Sequence, residues 1–359
     1  MSGFIFRKRQ EGRAAGNLLL PVLLVGLMQF FGCASPPEVY QPPTIIGTSY
    51  SEFDLKIAEL NSAIALDPGN AAAYYNRGNI YYNEGQYEQA ISDYSMAVEN
   101  DPKMVAAYKN RGSAYRQKGR HDQAISDYIK VIKLNPRDAK AYYNVGHSLD
   151  LKGEHDKAII FYHKAIDMDP WYSAAYRRLG HTYYAKGEYG RAIYEFNRAI
   201  QNEPDCAEVY ISRGNVYAEQ EQYERAISDY NKAIIIDARN VDAYLYRGDA
   251  YAAQDMIEQA ISDYNKAIEI DPFQAMTYYK RGNIYVAKDL YVQAISDYDK
   301  AVEINPGYAE AYYNRALTCE KSGREREAID GYRKFIEYAQ PEHEEYIGTV
   351  RARIKVLER

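Results

Sequence analysis

Cysteine is scarce: three in 359 residues, at Cys33, Cys206 and Cys319, which is no disulfide framework. No Gly-rich phosphate loop, HExxH, CxxC or nucleophile elbow occurs, so no short pattern for nucleotide binding, zinc proteolysis or acyl transfer is present. Basic charge is in deficit, with 44 Lys and Arg against 50 Asp and Glu. Arg7, Lys8, Arg9 and Arg13 against Glu11 give residues 1–32 a net +3 and leave −9 on the rest. Phosphate binding is driven by neutralising basic groups, so a body this acidic is not expected to hold nucleic acid. Long apolar runs are missing too, apart from the stretch Leu18 to Gly32.

That run, LLLPVLLVGLMQFFG, follows a polar, basic head and is shorter than the roughly 20 residues of a spanning helix. Charged head, short apolar core and small residue predict a secretory signal over residues 1–32. Its end, Phe30-Phe31-Gly32-Cys33, resembles the lipobox of bacterial lipoproteins, although Phe30 and Phe31 depart from the usual leucine and small residue. The resemblance implies that Cys33 is lipidated (diacylglycerol and palmitate-type acyl chains). With Ala34 next, it implies an outer-membrane anchor facing the periplasm. Cleavage after Ala34 and an uncleaved anchor are the alternatives. Residues 33–52 carry four prolines, Pro36, Pro37, Pro42 and Pro43, and read as a semi-rigid tether.

What dominates the chain is a period of 34. From Ala71 eight blocks follow without insertion, starting at 71, 105, 139, 173, 207, 241, 275 and 309. Each holds two amphipathic helical patterns split by a turn, and most close on Asp/Asn-Pro, which stops the second helix. Position four is Tyr in all eight, from Tyr74 to Tyr312. Position eight is Gly from Gly78 to Gly282 and then Ala316. Position twenty is Ala throughout, and position twenty-four is Tyr except Phe196. Small residues at eight and twenty let two helices approach, with rings filling the space beside them. Much of the complement of 39 tyrosines is therefore core packing. Cys206 and Cys319 fall in different blocks, beyond the reach of a disulfide.

This pattern resembles the tetratricopeptide repeat. The resemblance implies an all-α, right-handed superhelical solenoid of helix-turn-helix repeats over residues 71–340. Residues 53–70 read as a partial repeat that caps the start, and 341–359 as a charged helix that caps the end, because no repeat buries its faces alone.

Position seven is Arg in six blocks, and position twenty-three is mostly acidic. Pairing each arginine with the preceding block leaves fewer exceptions than pairing within a block. It predicts Arg213 against Glu195 and Arg315 against Asp297. His121 and His155 stand where four other blocks have Tyr and read as packing substitutes. His147 and His181 share position nine. With mainly basic neighbours they do not suggest a metal site.

In the tetratricopeptide family the first helices line a concave groove. The groove positions here begin neutral with Tyr75, Asn76, Asn79, Tyr82 and Asn83, and Asn110 follows. Blocks two to four then present Lys109, Arg116, Lys140, Arg177 and Arg178, with His147, His181 and Asn144, against Asp150 alone. Blocks five and six present Glu208, Glu219, Asp242 and Asp249 beside Ile211, Leu245 and Tyr246. Lys109, Asn144 and Arg178 match three places of the family's terminal-carboxylate clamp; Ser113 and Ala174 depart from it.

The implied function is an envelope-tethered scaffold, without enzymatic activity or cofactor, that binds a protein segment in its groove. The basic stretch favours an acidic segment, by a clamp or more loosely. The chain is expected to be monomeric, with self-association left open. The alternative is a carbohydrate-binding or polysaccharide-export accessory that uses the groove tyrosines.

Overall fold

A computed structural model describes residues 51–359. Cys33, the signal segment and nearly all of the proline-rich tether lie outside the described residues. Those described form eighteen α-helices and one 3-10 turn, with no strand. The chain divides after Pro204 into two compact units.

The first unit runs α1 (Glu52–Leu66), α2 (Ala71–Asn83), α3 (Tyr87–Asn100), α4 (Val105–Gln117), α5 (His121–Leu134), α6 (Ala139–Leu151), α7 (His155–Met168), α8 (Ser173–Ala185) and α9 (Tyr189–Asn202). The second runs α10 (Ala207–Glu219), α11 (Tyr223–Ile236), α12 (Val241–Ala253), α13 (Ile257–Ile270), α14 (Ala275–Ala287), α15 (Tyr291–Ile304), α16 (Ala309–Lys321), α17 (Glu325–Tyr338) and α18 (Glu344–Leu357). From α2 to α17 they pair as the 34-residue period predicts, one pair per block.

Local chemistry sets the ends of these helices. Asn70, Asp138 and Asn240 each cap a first helix by accepting the backbone N–H three residues on, at 2.9–3.0 Å. The turn inside each block needs one left-handed residue. Gly85, Gly119, Gly153, Gly187 and Gly323 supply it at φ 70–77°. Glu221, Asp255 and Asp289 take the same conformation without being glycine, at φ 58–59°.

Packing follows from the small positions. The alanines from Ala90 to Ala328 at position twenty are fully buried. A Cβ on Gly146 would stand 2.9 Å from ring carbons of Tyr162, and the same clash recurs at Gly78, Gly112, Gly180, Gly214, Gly248 and Gly282. Ring on bare backbone is how the two helices of one block touch. The last block solves this differently. Its Ala316 methyl occupies the space over Gly331, where a Cβ would come within 3.0 Å. In α18, Val350 and Ile354 are buried with Tyr313 and Phe335. At the other end, Ile64 of α1 packs near Tyr74 and Val98.

The ion-pair register differs from the expectation. Arg77 holds Asp93, Arg111 holds Asp127, Arg213 holds Asp229, Arg247 holds Asp263 and Arg281 holds Asp297. Each pair lies within one block and is bidentate through Nε and Nη2, at 2.6–2.8 Å. Contact between positions eight and twenty-four brings their neighbours, seven and twenty-three, together. The same arginines do reach back one block, but to position twenty-five. Nη1 of Arg77, Arg111, Arg247 and Arg281 donates to Asn61, Ser95, Asn231 and Asn265, at 2.5–3.0 Å. Arg315, which faces Gly331 at position twenty-three of its own block, turns back to Asp299 at 2.5 Å rather than to Asp297, with Glu327 of its own block at 3.9 Å.

Candidate functional site

The first helices of the first unit carry the sequence-derived groove residues from Tyr75 to His181. They start with a neutral network. The Asn110 amide nitrogen donates to Asn79 Oδ1 at 2.7 Å and to Tyr75 Oη at 3.2 Å. The Tyr94 hydroxyl donates to the same Asn79 oxygen at 2.8 Å. Asn76 is exposed beside them.

Next comes the basic stretch, which is more neutralised than the sequence suggested. Lys109 is in an ion pair with Asp138, the buried cap of α6. Asp138 stands at position thirty-four, ahead of the first helix, where Asn70 and Asn240 recur as caps. Asn144 is buried, and its oxygen accepts from Arg116 at 3.3 Å. Two of the three clamp matches, Lys109 and Asn144, are therefore engaged within the fold. Asp150 is engaged as well, accepting from Thr182 at 2.9 Å and bonding His155 at 2.7 Å. His155 is thus a hydrogen-bonding residue as well as a packing one.

Arg116, Lys140 and Arg177 form no ion pair among the described residues. Arg116 Nη1 donates instead to His147 Nδ1 at 3.0 Å, which requires a neutral imidazole. Burial, then Arg178 and Arg116, push His147 down to about 2. His181 is pushed down to about 3 by burial, then Arg178 and Arg177. No acid offsets these shifts, which marks a locally positive pocket of side chains.

In the second unit the acidic positions are also partly offset. Asp249 pairs with Lys280 at 2.7 Å and accepts from Tyr264 at 2.8 Å. Leu245, expected as an apolar groove anchor, is 5% exposed and packs with Ile257, Tyr264 and Ile284. It walls, with Tyr246, a small cavity of about 140 Å³, and Tyr246 lies against Tyr230 at 6.2 Å. Its burial makes it a core residue first. Among the described residues there is no group of three His, Cys, Asp or Glu placed to hold a metal ion. No described helix is long and apolar enough to cross a membrane.

Family models described as tetratricopeptide repeat match residues 71–104, 139–172 and 309–341. A TPR-repeat model matches 112–150, 180–221, 214–255, 248–289 and 282–323. Comparison with curated proteins finds no match. Among solved structures, the C-terminal part of a TPR repeat-containing protein from Cytophaga hutchinsonii is 21% identical, with a TM-score of 0.54 over 67% of this chain and 98% of that one. A tetratricopeptide repeat protein from Parabacteroides merdae is 18% identical, with a TM-score of 0.54 over 71% and 99%. The Cut9–Hcn1 hetero-tetramer of the APC/C is 18% identical, with a TM-score of 0.53; the match spans 74% of this chain and about half, 52%, of that one. At these identities the likeness is one of fold.

Proposed function

Because this chain belongs to the tetratricopeptide-repeat family, whose domains bind protein or peptide partners, we propose that it is an envelope-tethered scaffold whose first unit takes an acidic segment of a partner. The observation that carries this is the state of three cations. Arg116, Lys140 and Arg177 have no carboxylate among the described residues, while neighbouring Lys109 has Asp138. Two imidazoles beside Arg116 and Arg178 are held neutral. A carboxylate arriving there would meet uncompensated positive potential, which a groove of the kind the family's first helices line would concentrate. A looser acidic site suits this better than a terminal clamp, since Lys109 and Asn144 are already spent.

The tether is the second part of the proposal. Lipidation at Cys33 and the proline-rich segment would hold the repeats at the outer membrane, facing the periplasm, for assembly of an envelope complex. Replacing Cys33 with Ser should release the protein from membrane fractions or leave its precursor uncut; an intact mass without acyl chains would overturn this part.

The groove is tested with labelled Glu-rich and Lys-rich peptides on the full chain. The acidic peptide should bind, with affinity falling as salt is added. Combining Lys140→Glu with Arg177→Glu should abolish binding and leave the melting temperature unchanged. Equal binding of both peptides, or an unaffected double variant, would refute the acidic-segment reading. The Lys109→Glu reversal is unsuitable, because it places a second carboxylate against Asp138.

A further inference from the structure

The neutral network at the start of the first unit has a counterpart at the end of the second. Tyr75, Asn79, Tyr94 and Asn110 correspond by position to Tyr279, Asn283, Tyr298 and Asn314. The hydrogen bonds are the same: Asn314 donates to Tyr279 at 3.0 Å and to Asn283 at 2.9 Å, and Tyr298 donates to Asn283 at 2.7 Å. The network itself is therefore packing. What surrounds it differs. Where the later copy has Val286, Ala287 and Leu317, the first has Tyr82, Asn83 and Ser113. Asn314 is 1% exposed there and its Oδ1 is sealed without a partner. In the first copy the same place is an open cavity of about 370 Å³, lined by Asn79, Tyr82, Asn83, Tyr94, Asn110 and Ser113.

The hydrogen-bond inventory of that cavity is specific. Asn79 Oδ1 is occupied by Tyr94 and Asn110, which leaves its NH₂ unspent. Both N–H groups of Asn110 are spent on Asn79 and Tyr75, which leaves its Oδ1 open. Ser113 is engaged with Tyr128 at 3.0 Å and the Lys109 carbonyl at 3.1 Å. The Asn83 amide and the Tyr82 hydroxyl carry no bond to the described residues, and the Tyr82 ring is steadied edge-on by Tyr87 at 5.4 Å. The lining thus offers amide donors, an amide acceptor, a phenol and an aromatic flank, with no charge.

We propose that this cavity binds a neutral amino sugar bearing an acetamido group. Such a ligand presents an N–H and a C=O that complement Asn110 Oδ1 and the Asn79 amide nitrogen, and hydroxyls that suit Asn83 and Tyr82. The volume lies at the low end of small-ligand clefts, room for about one or two sugar rings. No cation of the basic stretch lines it, so this site stands or falls separately from the acidic-segment reading.

The test is saturation-transfer NMR on the full chain with N-acetylglucosamine and its β1,4-linked dimer. Glucose and an N-acetylated dipeptide amide serve as controls. The acetamido sugars should bind at millimolar concentration and glucose more weakly. Carrying the later copy's residues into the first, Tyr82→Val with Asn83→Ala and Ser113→Leu, should fill the cavity and abolish the signal. That packing already occurs in the chain, and a melting curve checks it. Asn83→Ala alone, on the exposed rim, should weaken binding severalfold without touching the fold. Absence of sugar binding, an undiminished signal in both variants, or binding of the dipeptide amide in preference to sugar would each overturn the proposal.

Discussion

Arg247 grips Asp263 of its own repeat with two parallel hydrogen bonds, at 2.7 and 2.6 Å, while its third nitrogen holds Asn231 of the repeat before. One guanidinium therefore fastens both the helix pair and the stack. The carboxylate is buried and its arginine mostly so. Truncating Asp263 to Ala would leave a cation with only the amide. A loss of about 2–3 kcal/mol is expected in urea unfolding. Asn231→Ala should cost about 1 kcal/mol or less. Equal losses would mean that the pair is no more than a surface contact.

Glu195 occupies the acidic position of a repeat whose arginine place is taken by Leu179. Burial pushes its carboxyl up to about 7, with Arg198 pulling the other way. The folded protein holds this proton to about pH 7, whereas an unfolded glutamate releases it near 4.5. Its contribution is therefore complete below about 4.5 and is lost as pH rises through 7. Glu195→Gln should stabilise the protein at pH 8, by about 3 kcal/mol at most, and change little at pH 4. A variant no more stable than wild type at pH 8 would show that the carboxylate is solvated.

His147 works in the opposite direction. Its folded pKa lies far below the usual imidazole value, so the unfolded chain takes up a proton first as pH falls through about 6.5. Stability from this site is present above that pH and is lost on acidification. His147→Asn keeps an acceptor for Arg116 and removes the titration, so the acid side of the stability profile should flatten. Combined with Glu195→Gln, it should leave little pH dependence between 5 and 7 from these two sites. Thermal melts across that range would show whether the slopes separate.

Asp255 sits at φ 59° in a turn where five other repeats have glycine. Asp255→Gly should stabilise by about 1 kcal/mol, since the left-handed strain outweighs the chain entropy that glycine adds. Gly119→Asp should cost a similar amount. A fall in melting temperature for Asp255→Gly would contradict this.

The repeat, its helices and their turns were legible in the sequence, because each depends on residues close together in the chain. The 34-residue period, the alanine and glycine positions and the tyrosine beside them state the packing of a helix pair outright. The ion-pair register was not legible. Both choices of register had exceptions, and counting them favoured the wrong one. What decides it is the ring of Tyr230 lying on Gly214, which sets Arg213 beside Asp229.

The groove shows the same division. Sequence alone determined which residue types stand on the first helices, and so the sign of each stretch. Only the tertiary structure decided which charges are still available. Lys109 is consumed by Asp138, the last residue of its own repeat, and Leu245 is turned into the core. The networks around Asn79 and Asn283 are alike, yet one opens on a cavity and the other, where Val286 and Leu317 stand in place of Tyr82 and Ser113, is buried. Periodicity reports what recurs along a chain. Whether a recurring group is free depends on what packs over it in space, which its position in the repeat does not state.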